Sequence, residues 1–242
     1  MKRSEEHTVS QVPRPVLALL VIAFCLQVAW QALQPRPSAR AEALPAPASV
    51  ATLRAISLGE PIVLAQLLTL HLQAFDNQPG ISIPFRDLDY PRVIAWLDVI
   101  LGLDPVAHYP LLMASQLYTQ VPVEARQRLM LDFIHRAFLR DPDRRWRWLA
   151  HCAILAKHRL RDMPLALRYA DDIARHAQAA SNWARQMRIF ILEDMGERDS
   201  ATILLGGLLA SGEVTDPREI RLLTQRLQEM KNAGISSSLS EN

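Results

Sequence analysis

Glycine is scarce in this chain, at 8 of 242 residues, and no stretch alternates β-branched with polar residues. Both shortages argue against sheet and for helices. Cysteine is nearly absent. Cys25 lies in an apolar segment and Cys152 in a stretch of helical periodicity. With one in lipid and the other in a water-soluble domain they cannot meet, so no intrachain disulfide is expected. Two cysteines therefore say little about the redox compartment. Lysine is confined to Lys2, Lys157 and Lys231 among 27 basic residues, which reads as a compositional bias and not as a function. No charge of one sign dominates either. The net charge is +2, and residues 1–50 supply it: Lys2, Arg3, Arg14, Arg36 and Arg40 against Glu5, Glu6 and Glu42 leave 22 basic and 22 acidic residues for the rest. A nucleic-acid binder would carry a basic excess on its folded part, so no nucleic-acid partner is expected.

Catalytic patterns are missing too. There is no Gly-rich phosphate loop. Ser57-Leu58-Gly59 lacks the G-x-S-x-G pattern of a nucleophile elbow. The neighbouring carboxylates Asp171-Asp172 and Glu193-Asp194 diverge by about 100° around a helix, so neither pair converges on a reacting atom. His151, Cys152 and His158 form the one dense cluster of metal-capable side chains. The histidines share a helix face at a spacing of seven, but Cys152 points elsewhere, and a zinc site needs four ligands. They read as a core cysteine and two ordinary histidines. No catalytic residue, metal ligand or cofactor is assigned, and the chain is not read as an enzyme.

One long apolar run is present. Val16 to Leu33 reads VLALLVIAFCLQVAWQAL, without a charge and with Gln27 and Gln31 as its only polar residues. Arg14 precedes it and Gln34-Pro35-Arg36-Pro37 stops it. A helix needs about 20 residues to cross the hydrocarbon core. Three readings are open: an uncleaved signal anchor, a signal peptide cleaved after Ala39-Arg40-Ala41, and a buried core helix. The cleavage pattern lies well past Leu33 behind two prolines and Arg36, and the proline-rich flanks disfavour a core helix. The expectation is a transmembrane anchor over residues 15–34. Lys2, Arg3 and Arg14 outweigh Arg36 and Arg40, which places residues 1–14 in the cytoplasm and the bulk of the chain outside. For a bacterial source this is the periplasmic face of the inner membrane.

Residues 35–50 are rich in Pro and Ala and read as a semi-extended spacer. From 51 to 233 the periodicity is helical. Ile62, Leu64, Leu67, Leu68, Leu70 and Leu72 look buried on more than one side, and Ile81 to Asp89 looks like a loop after the turn signal Asn77-Gln78-Pro79-Gly80. Helices are expected over Tyr90–Leu103, Leu111–Leu117, Val123–Leu139, Arg145–His158, Leu165–Ala177, Ser181–Asp194, Ser200–Leu209 and Asp216–Lys231. Residues 234–242 read as a frayed polar tail. The Asp-Pro pairs at 104/105, 141/142 and 216/217 mark joints between helices.

Trp148 and Trp183 are 35 residues apart, as are Ala166 and Ala201. The two copies run Trp148, Leu155, Arg161-Asp162, Ala166 and Trp183, Phe190, Gly196-Glu197, Ala201. A fixed period in this range points to stacked helical hairpins. The pattern resembles the tetratricopeptide repeat, best over residues 143–177, next over 178–212, and more loosely over 90–142. It departs where that repeat has a glycine in its first helix, since Cys152 and Arg188 stand there. The resemblance implies an all-α fold: a right-handed array of antiparallel helix pairs, a tetratricopeptide-like solenoid, behind one N-terminal transmembrane helix. It also implies a concave surface for a protein or peptide partner, without catalysis. A membrane-anchored scaffold or assembly factor is expected, with a permanent accessory subunit of a membrane complex as the alternative. The partner-contact candidates are Arg144, Arg145, Trp146 and Arg185. Trp148 fits the core slot of the repeat, which leaves Trp146 for contact. Arg140, Arg144, Arg145 and Arg147 surround Asp141 and Asp143, and local ion pairing in a solvated turn is the simpler reading of that cluster.

Overall fold

The computed structural model describes residues 13–33, 41–212 and 214–240, with the backbone alone over 233–240. The spacer residues 35–40 and the segment 1–12 lie outside the described residues. Two compact units are present, one of residues 1–41 and 78–81, which holds the first helix, and the other of residues 42–77 and 82–242.

The first helix, α1 (Arg14–Leu33), has 20 residues and a mean hydropathy of 2.3 over its most apolar window. At 1.5 Å per residue it is about 30 Å long, the thickness of a hydrocarbon core. None of its residues is buried, so the core-helix reading is set aside. The helix is long and apolar enough to span a membrane.

The second unit is built from helices. They are α2 (Val50–Ile56), α3 (Pro61–Ala74), α4 (Tyr90–Leu103), α5 (Tyr109–Leu112), α6 (Glu124–Arg140), α7 (Pro142–His158), α8 (Met163–His176), α9 (Asn182–Asp194), α10 (Arg198–Ser211) and α11 (Pro217–Ser240). Two-residue strands, β1 (Asn77–Gln78) and β2 (Ile81–Ser82), make the one hairpin among the described residues. Proline opens six of these helices, where its missing N–H costs nothing. Side-chain caps add to this: Ser49 accepts from the Thr52 N–H at 3.1 Å, Asp89 from Arg92 at 3.2 Å and Asp162 from Leu165 at 3.0 Å.

Packing follows the chain. α7 packs on α8, α8 on α9, α9 on α10 and α10 on α11, with α6 on α7 and α3 on α4 before them. One core runs from Leu44 to Ile191 and includes Leu97, Phe133, Phe138, Leu149 and Tyr169. A smaller one gathers Ile189, Ala201, Leu205, Val214, Leu223 and Met230. Helix α9 serves both, giving Ala184 and Ile191 to the first and Ile189 to the second. Positions 35 apart coincide in part. Ala166 and Ala201 are both fully buried, as are Ala170 and Leu205. The turns after α7 and α9 each pass through a left-handed residue, Arg161 (φ 53°) and Gly196 (φ 83°), again 35 apart. The equivalence fails in the first helix of each pair, since Trp148 is partly buried whereas Trp183 and Phe190 are exposed.

Several expectations are corrected. The spacer does not stay free to residue 50. Leu44 is buried, Arg92 donates to the Leu44 carbonyl at 2.6 Å, and the Trp96 indole donates to the Pro45 carbonyl at 2.8 Å. The helix expected at Leu111–Leu117 is a short α-turn followed by a π-turn over Met113–Leu117 and a 3-10 turn over Tyr118–Gln120. Asp104-Pro105 ends α4 as expected, with Asp104 accepting from the Val106 N–H in the turn ahead of α5, whereas α7 begins at Pro142, ahead of the expected Arg145. The last helix continues to Ser240, through most of the segment read as a frayed tail. Finally, Ile62, Leu67 and Leu70 of α3 are exposed, not buried.

Candidate functional site

The four contact candidates do not form one surface. Arg144 is half-exposed and bound to Asp141 at 2.9 Å. Arg145 is only 4% exposed; its guanidinium donates to the Ala137 carbonyl at 2.7 Å and to the Pro105 carbonyl at 2.8 Å. Ala137 lies in the last turn of α6, where carbonyls lack helical partners. Arg145 therefore ties the joint before α7 to the turn after α4, and it offers nothing to a partner. Burial lowers its pKa, the expected cost of an enclosed cation. Of this cluster only Arg144 pairs locally; Arg140 reaches Asp98 of α4 at 2.9 Å, Arg147 lies over the Trp146 ring, and Asp143 accepts from the Ala179 N–H at 2.8 Å.

Trp148 packs against the core as expected, but Trp146 is not left for contact. Trp146 is 7% exposed, and Trp183 of α9 meets it edge-on at 5.8 Å between ring centroids. Trp183 itself is 52% exposed, and the Arg147 guanidinium lies 5.3 Å from the Trp146 ring centroid. Trp148 packs partly buried, 6.4 Å from His108. The register of 35 put both Trp148 and Trp183 in core slots. It missed that the seam between α7 and α9 is filled from Trp146, two residues earlier, which pushes Trp183 outward.

Arg185, the fourth candidate, lines a cleft of about 380 Å³ made by α8, α9 and α10. Asn182, Arg188 and Gln186 share the α9 wall, and Ile203, Gly207 and Leu208 form the α10 wall. Gly207 lies on the α10 wall, where a Cβ would meet nothing within 4 Å. Gln186 is held by Glu219 of α11 at 2.7 Å. Arg188 reaches Asp171 at 3.8 Å, a long ion pair, and its buried Nε has no partner.

A second, more open cleft of about 500 Å³ is lined by Gln120, His151, Ile154, Leu155, His158, Arg159 and Arg161. Arg159 is fixed by the Thr119 carbonyl at 2.8 Å and by Gln120 at 3.1 Å. Arg161 holds its left-handed backbone without being glycine, which costs about 1 kcal/mol. Cys152, beside His151 in sequence, is fully buried, and burial pushes its thiol pKa up, so it stays an unreactive thiol. His151 and His158 thus face one cleft while Cys152 faces the core, as their spacing implies.

Burial lowers the pKa of His151, and the Arg159 charge adds to that; a hydrogen bond donated by the imidazole to the Ser115 backbone carbonyl opposes it. The neutral imidazole is thereby favoured in the folded protein. The unfolded chain takes up this proton more readily, so stability is complete above the ordinary histidine value of 6.5 and falls as pH drops through it. His151→Gln is expected to flatten that part of the stability curve between pH 7.5 and 5.5. Thermal unfolding across this window checks it, and an unchanged slope would assign the loss to another group.

Neither cleft has a carboxylate among its lining residues, although the unit as a whole is electrically balanced. The cationic lining comes from α9 and from the turn after α7. In comparison with known proteins, no family model, no curated protein and no solved structure matches this chain.

Proposed function

We propose that this chain is a membrane-anchored helical-repeat module that binds an acidic segment of a protein partner and thereby serves the assembly of a membrane or envelope complex. The observation that carries this reading is the pair of clefts lined by Arg185 and Arg188, and by Arg159, Arg161 and two histidines, with no carboxylate on either wall. Asp171 pairs with Arg188 at 3.8 Å and Glu219 holds Gln186 at the edge of the first cleft, so the excess is stronger in the second; arginine holds carboxylate or phosphate groups through planar, paired hydrogen bonds. The strained Arg161 backbone beside the second cleft is a cost that a binding role accounts for.

Support for the repeat arrangement comes from chain-order packing and from the coincidence of Ala166 with Ala201 and of Arg161 with Gly196. Successive helix pairs of this kind present a continuous surface suited to an extended peptide. Helix α1 is the anchor, with the N-terminus inside and the helical unit on the periplasmic face. Anchoring raises the effective concentration of the module beside membrane partners. Catalysis and cofactors have no part in this function.

Affinity purification of the full chain from its native membranes in mild detergent tests the proposal. Partners carrying acidic segments and released by salt are expected. Fixed stoichiometry that resists salt would mark a permanent subunit instead, and no partner from folded protein would refute the binding function.

A further inference from the structure

Helix α3 is apolar on both sides. Ala65, Thr69 and Leu72 are buried against the unit. Ile62, Val63, Leu67 and Leu70, on the opposite face at helical spacing, are each at least half exposed. Ile56 and Leu58, just before α3, continue the patch. From Pro61 to Ala74 there is no Asp, Glu, Lys or Arg, unlike every other described helix of ten or more residues after Glu42. A helix that is hydrophobic all round belongs in a core or in lipid. Six large apolar side chains within fifteen residues exceed the scattered exposure normal for a surface.

We propose that this face of α2 and α3 lies in the interfacial layer of the bilayer, giving the helical unit a second membrane contact besides α1. The occupant is neutral lipid, since the exposed face of α3 carries no charge, and of the two exposed charges beside it Glu60 is acidic and Arg54 is turned to the Gly102 carbonyl. The inference rests on the anchoring of α1 proposed above. The chain supplies the argument for lipid over a second copy. Leu44, already fixed to α4, follows Leu33 by eleven residues, so an extended chain limits their separation to about 40 Å. The bilayer is then within reach of α3 at any protein concentration, whereas a second copy is not. Helices α2 and α3 together are apolar enough to cross a membrane, yet they meet at a 114° bend. That bend excludes one straight span and suits a segment lying along the surface.

The test uses the full chain with Cys25→Ser, reconstituted in phosphatidylcholine vesicles; Cys152 is fully buried and escapes labelling. An environment-sensitive fluorophore is placed singly at Leu20→Cys in α1, Leu67→Cys or Leu70→Cys in α3, and Ile203→Cys on α10. Quenching by nitroxide-bearing lipid is read against quenching by aqueous iodide. At positions 67 and 70, lipid quenching is expected to exceed that at 203 by about threefold or more, with iodide quenching correspondingly weaker. Lipid quenching at 20 with iodide access at 67 and 70 equal to that at 203 would overturn the second contact and leave the anchor intact. Protection from iodide at 67 and 70 without lipid quenching, lost on dilution of the protein in lipid, would overturn it in favour of self-association. No lipid quenching at 20 would remove the anchoring reading and this inference with it.

Discussion

Replacing Arg145 with methionine is expected to cost about 3 kcal/mol of stability. The substitution keeps the aliphatic bulk but removes two charge-assisted hydrogen bonds, at 2.7 and 2.8 Å, each worth about 1.5–3 kcal/mol. The Ala137 and Pro105 carbonyls are left facing a buried thioether that cannot donate. Relief of the buried charge returns part of the loss, because the guanidinium Nε already lacks a partner. Arg144→Met, one residue away, removes only a half-exposed ion pair and is expected to cost less than about 1 kcal/mol. Denaturant unfolding of the two variants in detergent checks the contrast. Equal, small losses would mean that Arg145 does not hold the joints between α4, α6 and α7.

Trp146 and Trp183 are expected to separate stability from binding in the same way. Trp146→Ala empties a buried aromatic site and should cost about 3–5 kcal/mol. Trp183→Ala removes a half-exposed ring and one edge contact at 5.8 Å, worth about 1 kcal/mol. If α7 and α9 present the binding surface, Trp183→Ala weakens partner capture by about tenfold or more while the fold persists, as a tryptophan anchor would. Thermal unfolding and quantitative capture on the same preparations test this. A Trp183 variant with unchanged capture would exclude the ring from the interface.

What the sequence made legible was the helices with strong punctuation. Tyr90–Leu103 agrees with α4 because Asp89 caps it and Asp104-Pro105 follows it. The turn at Gly196-Glu197 and the buried Ala166 and Ala201 were readable from the 35-residue period. The period misled where the two copies diverge. A shared tryptophan does not imply a shared environment once Trp146 fills the seam between the first helices of each pair. Arg145 was misread for a related reason. Its neighbour Arg144 does pair with a local carboxylate, but its own acceptors are backbone carbonyls 8 and 40 residues away, which carry no sequence signature. The clefts were hidden as well: one depends on how α8, α9 and α10 come together, and the other on the 3-10 turn at Tyr118–Gln120 meeting the end of α7. On α3 the apolar pattern was clear, but periodicity alone cannot separate a face turned to a core from one turned outward.

The most direct measurement is partner capture by the full chain carrying Arg185→Glu and Arg188→Glu, compared with the unaltered chain from the same membranes. Both side chains line the α8–α10 cleft, where Arg188 also pairs with Asp171 at 3.8 Å. Reversal of two charges is expected to reduce recovery of acidic partners by about a hundredfold at low salt, with a smaller difference at high salt. Equal recovery by a variant of undiminished helicity would contradict the cationic cleft as the binding site.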